Sequence, residues 1–126
     1  MRDVVSSRSA PAAIGPYSQA IRAGGFLFIS GQIPLDPESG QVVDGDVAAQ
    51  THRVMQSLGA ILKAAGASYE HVVRTTIFLT DLTDFALVND VYGSYFAAPA
   101  PTRATVQVAA LPKGVSVEID AIAYLA

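Results

Sequence analysis

The sequence predicts an α+β domain: one β-sheet with two helices packed against a single face. Three observations lead there. Apolar residues recur at helical spacing over 46–65 and 84–96. β-branched and aromatic residues dominate 71–80, and 18–23, 26–30, 102–108 and 115–124 also read as strands. Gly and Pro punctuate the joints between these runs. The predicted order is β-β-α-β-α-β-β. Each helix is apolar on one side only, so the pair covers one face of the sheet and leaves the other for water or a partner.

Residues 10–17, APAAIGPY, are irregular, with Pro11, Gly15 and Pro16. The strands at 18–23 and 26–30 are joined by Gly24-Gly25, a hairpin signal. Phe26-Leu27-Phe28-Ile29 is continuously apolar, so burial on both faces is expected. Residues 34–45, with Pro34, Pro37, Gly40 and Gly45, read as a loop. The first helix has Asp46 as its cap and Gly66 as its terminator. Its apolar face is Val47, Val54, Leu58, Ile61, Leu62 and Ala65. A β-branched strand, HVVRTTIFLT, spans 71–80. The second helix turns Phe85, Val88, Tyr92, Tyr95 and Phe96 to one side, and Pro99 and Pro101 forbid its continuation.

The last two strands alternate. Ala104, Val106 and Val108 form one set; Arg103, Thr105 and Gln107 form the other. In 115–124, Val115, Val117, Ile119, Ala121 and Ala123 oppose Ser116, Glu118, Asp120, Ile122 and Tyr124. The apolar sets are expected under the helices. Arg103 and Glu118 are therefore both expected on the uncovered side. An ordinary solvated ion pair is the plain alternative for such residues. Ile122 and Tyr124 within the polar set favour an oligomer surface instead.

Composition narrows the function. The 126 residues are 51% hydrophobic and 15% charged, with net charge −3 and no Cys. That is one domain, 1–126, with a core large enough to fold without disulfides. Thiol nucleophiles, zinc ribbons and iron–sulfur clusters are excluded. Lys and Arg are scattered singly, so no nucleic-acid partner is expected. No apolar run approaches the ~20 residues of a membrane helix, and the N-terminus lacks a secretory apolar core, so a cytoplasmic protein is the default. Little charge on so apolar a chain points to a face hidden in an oligomer. His52 and His71 lack ligand spacing, so no metal and no cofactor are expected.

Five segments in order, APAAIGPYSQA (10–20), SGQIPLDPESG (30–40), DVAAQT (46–51), TTIFLTDLTDFALVNDVYGSYF (75–96) and PTRATVQVAALPKGVSVEIDAIA (101–123), resemble the RidA/YjgF family of imine deaminases. They cover nearly the whole chain. The Pro, Arg, Leu-Pro loop and aliphatic-Glu-Ile triplet of the last segment fit the family signature. The resemblance implies a chorismate-mutase-like fold, with the last strand inserted in mid-sheet. It also implies a homotrimeric barrel with ligand clefts between subunits. The implied substrates are 2-imino acids and enamines such as 2-aminoacrylate, 2-iminopropanoate and 2-iminobutanoate, hydrolysed to 2-keto acids and ammonia. A different imine, an aminomuconate-type substrate, or a small-ligand-binding trimer without turnover remain the alternatives.

That chemistry needs a cation for the carboxylate, a group to place water, and a pocket to orient both. The resemblance assigns Arg103 to the first task, as a guanidinium that forks onto a carboxylate. It assigns Glu118 to the second, as a water-positioning acid/base. Tyr17, Ser30, Gly31, Asn89 and Thr105 match further cleft positions. For Ser30 a hydroxyl satisfied by local backbone is an equal reading. Asn89 has the alternative of capping or bridging, and Tyr17 that of a packed loop residue. Many relatives have Cys where this chain has Thr105. That position contributes mainly backbone groups in the family, so Thr is expected to serve.

Overall fold

The structure is a computed structural model that describes residues 1–125. Six strands form one sheet: β1 (Arg2–Val5), β2 (Ala20–Ala23), β3 (Phe26–Gln32), β4 (Val72–Leu79), β5 (Thr102–Gln107) and β6 (Val117–Tyr124). Their spatial order is β1-β2-β3-β6-β4-β5. Two helices, α1 (Val47–Ala64) and α2 (Phe85–Gly93), make the crossovers. Among the described residues only β4 and β5 run parallel; every other pairing is antiparallel. The parallel pair needs a crossover, which α2 supplies. The last strand is inserted between β3 and β4, in the middle of the sheet.

α1 forms where its pattern predicts. The Asp46 side chain accepts from the Ala49 amide at 3.0 Å. At the other end Gly66 takes φ +77°, with Gly66 N–H bonding Lys63 O and Ala67 N–H bonding Leu62 O. That is a Schellman termination, which glycine adopts without steric cost. α2 is shorter than the apolar pattern, because the chain tightens to i→i−3 bonds at Ser94, Tyr95 and Phe96.

The core lies between the helices and one face of the sheet. Leu27, Ile29, Ile77, Leu79, Val117 and Ile119 meet Val54, Leu58, Ile61 and Leu62 of α1 and Val88 of α2. At about 25 cal/mol per Å², each fully buried aliphatic side chain contributes roughly 1.5–3 kcal/mol against the chain's entropy. β6 obeys the predicted alternation, with Val117, Ile119, Ala121 and Ala123 buried.

Three expectations need correction. First, β1 pairs with β2 from Arg2↔Ala23 to Val5↔Ala20, although RDVV has no strand signature of its own. Tertiary pairing decides so short an edge. Second, Phe26 and Phe28 are 42% and 46% exposed, so β3 is buried on one face only. Third, the alternation of β5 is reversed. Thr75 pairs with Arg103 and Ile77 with Thr105, and Thr75 and Ile77 are buried beneath the helices. Arg103 therefore faces the helices, while Ala104 and Val106 join Thr76 and Phe78 on the open face. The reason is that the open face is itself apolar. Phe26, Phe28, Val106 and Tyr124 are all exposed there, so apolar parity does not tell one face from the other.

Candidate active site

Arg103 is held from α2. Its Nη1 donates to Asn89 Oδ1 at 2.7 Å. Its central carbon lies 5.5 Å from the Phe85 ring centroid and 5.3 Å from that of Tyr92. Phe85, Asn89 and Tyr92 share one helical stripe at i, i+4 and i+7. The Tyr92 hydroxyl meets Thr75 Oγ1 at 2.6 Å, and burial pushes its pKa up. Arg103 itself is exposed, and Asn89 is the one hydrogen-bond acceptor it meets among the described residues. The rest of the fork is free to receive a carboxylate. Thr105 stands two residues along the same face of β5, and its hydroxyl is buried without a hydrogen-bond partner among the described residues.

Glu118 belongs to the other side of the sheet. It pairs with Phe78, three residues from Thr75 along β4, so the two side chains leave opposite faces. Burial, and secondarily the Asp120 charge, push the Glu118 carboxyl above the usual Glu range. Asp120 is fixed in turn by the Thr76 amide, which donates to Oδ1 at 3.2 Å. Gly31 lies against Glu118: a Cβ at Gly31 would collide with the carboxylate. The register shift between Ile29 and Gln32 sets this close approach.

The remaining expected residues gather near Gly31. Tyr17 is 52% exposed and shares a pocket of about 320 Å³ with Gly31, Pro112 and Lys113. The Ser30 hydroxyl donates to Ser18 O at 2.6 Å, and the Ser30 amide to Gln19 O at 2.9 Å. Ser30 thus stitches β3 to the loop bearing Tyr17, which is the local-backbone reading of its hydroxyl. The buried Gln19 side chain accepts from Ser7 N and donates to Pro11 O, both at 2.7 Å, tying down the irregular N-terminal segment. His52 bonds Tyr95 through Nδ1 at 2.8 Å, and His71 Nδ1 accepts from Ser68 N at 3.0 Å.

Two half-sites result. One is Arg103 with Asn89 and Thr105, on the helix side of the sheet edge. The other is Glu118 with Gly31, beside the pocket that holds Tyr17. The sequence singles out these residues as candidates but places Arg103 and Glu118 on one face, which the structure contradicts. It also passes over Phe85, Tyr92 and Thr75, which surround Arg103. The available signal was the 85-89-92 spacing, which puts a polar residue between two rings.

A family model described as Endoribonuclease L-PSP matches residues 7–125. The chain belongs to this family, known as RidA/YjgF. Among RidA/YjgF relatives, Protein DfrA of Myxococcus xanthus is 61% identical over 124 residues, covering 97% of this chain and 95% of that one. The 2-iminobutanoate/2-iminopropanoate deaminase of Mus musculus is 52% identical over 123 residues, covering 98% and 91%. Solved RidA/YjgF structures superpose closely. A putative endoribonuclease from Thermotoga maritima has TM-score 0.97 at 48% identity, covering 100% and 99% of the two chains. E. coli TdcF with bound serine has TM-score 0.94 at 43% identity, covering 98% and 99%.

Proposed function

We propose that this protein hydrolyses small 2-imino acids and their enamine tautomers to 2-keto acids and ammonia, in a site shared between copies of the chain. The observation that carries this reading is the pair of half-sites: an oriented, unneutralised guanidinium on one face and a carboxyl of raised proton affinity on the other. Relatives named 2-iminobutanoate/2-iminopropanoate deaminase, about half identical over nearly the full chain, support the same chemistry. So does the amino acid bound to a close structural neighbour.

In a 2-imino acid the carboxylate and the C=N carbon are adjacent. One such molecule cannot reach both half-sites of a single chain. A second copy must bring Glu118 to the Arg103 of the first, and the apolar open face is the surface such an assembly covers. A homotrimer accounts for this arrangement.

The steps balance without a cofactor. Arg103 takes the carboxylate with its free N–H groups. Glu118 in its neutral form donates a proton to the imine nitrogen, which makes the carbon electrophilic. Water adds, and the Glu118 carboxylate takes its proton. Glu118 then gives its proton to the carbinolamine nitrogen and takes the proton of the carbinol hydroxyl, so ammonia leaves, the 2-keto acid forms and Glu118 is again neutral. The Tyr17 ring and the Gly31 backbone close the pocket and orient the reactants.

The test is release of pyruvate from 2-aminoacrylate generated by a coupled lyase. Acceleration by the wild type, lost in Glu118→Gln with 2-keto acid binding retained, is the expected result. A rate unchanged by adding protein removes the deaminase reading and leaves a ligand-binding role.

A further inference from the structure

α2 does more for Arg103 than present one amide. Phe85, Asn89 and Tyr92 occupy successive positions on one stripe, and all three address the same guanidinium. The two rings lie 5.5 and 5.3 Å from its central carbon, inside the ~6 Å range in which an aromatic face attracts a cation. Tyr92 does not float. It is buried, and its hydroxyl is 2.6 Å from Thr75 Oγ1. Thr75 is the β4 residue paired directly with Arg103. Strand pairing, a hydroxyl–hydroxyl bond and a ring–cation contact therefore close a loop through Arg103, Thr75 and Tyr92.

We propose that Phe85 and Tyr92 are positioning residues that hold the Arg103 guanidinium against their rings and present its fork, already oriented, to the ligand carboxylate. The proposal deepens the function above and rests on Arg103 as the carboxylate clamp. A long side chain ordered only on binding loses rotamer freedom at that moment, which weakens the complex. Here the rings and Asn89 restrict it beforehand. The restraint also leaves the cation whole. An Asp at position 89 would neutralise the guanidinium, and carboxylates above and below would compete for its donors. Asn89 accepts from one of five N–H groups, and neither ring offers a charged acceptor, so the remaining donors stay open. Phe85 is 39% exposed, so its ring borders the space where a ligand approaches Arg103.

The test uses Phe85→Leu, Phe85→Tyr and Tyr92→Phe in the full chain, with melting temperatures to verify folding. One readout is the Kd of 2-ketobutyrate by calorimetry, with KM and kcat in the coupled assay. The other is the Arg103 Nε–H resonance, assigned by its loss in Arg103→Lys and shifted by the ring currents of Phe85 and Tyr92. Phe85→Leu is expected to raise Kd and KM about 2- to 5-fold, the range of an exposed cation–π contact. The effect falls on KM rather than kcat, because the guanidinium–carboxylate contact is made equally in the ground state and the transition state. The resonance moves with it, and Phe85→Tyr restores both. Tyr92→Phe keeps the ring but loses Thr75, and gives a smaller rise in the same direction. A fall in kcat and melting temperature with KM and the resonance unmoved shows a merely structural role and overturns the proposal. A wild type whose resonance shifts with Phe85→Leu but which binds no 2-keto acid leaves the positioning intact and refutes the deaminase reading.

Discussion

Mixing two inactive variants tests the shared site most sharply. Arg103→Ala removes the clamp, and Glu118→Gln removes the proton carrier. Losing the carboxylate clamp in the closed site costs about 2–5 kcal/mol and losing the general acid/base about 10²–10⁴-fold, so each homogeneous preparation should fall by about 30-fold or more. β5 and β6 are separated by β4, so about 10 Å of sheet lies between their backbones. Their functional side chains also leave opposite faces. If each site takes Arg103 from one chain and Glu118 from the next, co-expression rebuilds it. A junction is intact when the Arg donor carries Glu118→Gln and the Glu donor carries Arg103→Ala. With equal amounts and random assembly, about one junction in four qualifies, so activity should return to about a quarter of wild type. Pyruvate release in the coupled assay measures it, and native mass spectrometry shows that mixed oligomers formed. Mixed oligomers no more active than their parents would mean that both residues serve within one chain, and the reasoning from opposite faces would be wrong.

Other perturbations address single features. Glu118 has its pKa raised in the fold, so the folded state binds this proton more tightly than the unfolded chain. The associated stability is present at low pH and lost as pH rises through the folded pKa. Glu118→Gln should therefore raise the melting temperature at pH 7, with the gain vanishing as pH falls; calorimetry across pH checks it, and an unchanged or lowered value at pH 7 contradicts the burial argument. Gly31→Ala should abolish turnover, since its methyl group takes the space of the Glu118 carboxylate; wild-type kcat in this variant would show the contact to be irrelevant. Arg103→Lys keeps the charge but loses the planar fork, and should lose 2-ketobutyrate affinity at least tenfold by calorimetry. Asp46→Ala should cost about 1 kcal/mol through the lost α1 cap, read from denaturant unfolding.

Periodicity and punctuation alone determined most of the elements. Val54, Leu58, Ile61 and Leu62 recur at helical spacing because one face of α1 must be dry, and Asp46 and Gly66 mark its ends for reasons local to each residue. The alternation of β6 was equally legible, because that strand is central and its buried set is wholly apolar. The signature in 101–123 singled out Arg103 and Glu118 as the candidate pair. Only the tertiary structure decided which way they point. Parity assigns sides to a strand but not the sides to the sheet, and a second apolar face makes Ala104 and Val106 as suited to the open surface as to the core. Nor does spacing in sequence show that α2 turns Phe85, Asn89 and Tyr92 onto β5. That contact appears only in the fold, where all three side chains reach Arg103. The edge strand β1 is the extreme case: four residues without a pattern, ordered by the hydrogen bonds β2 offers them.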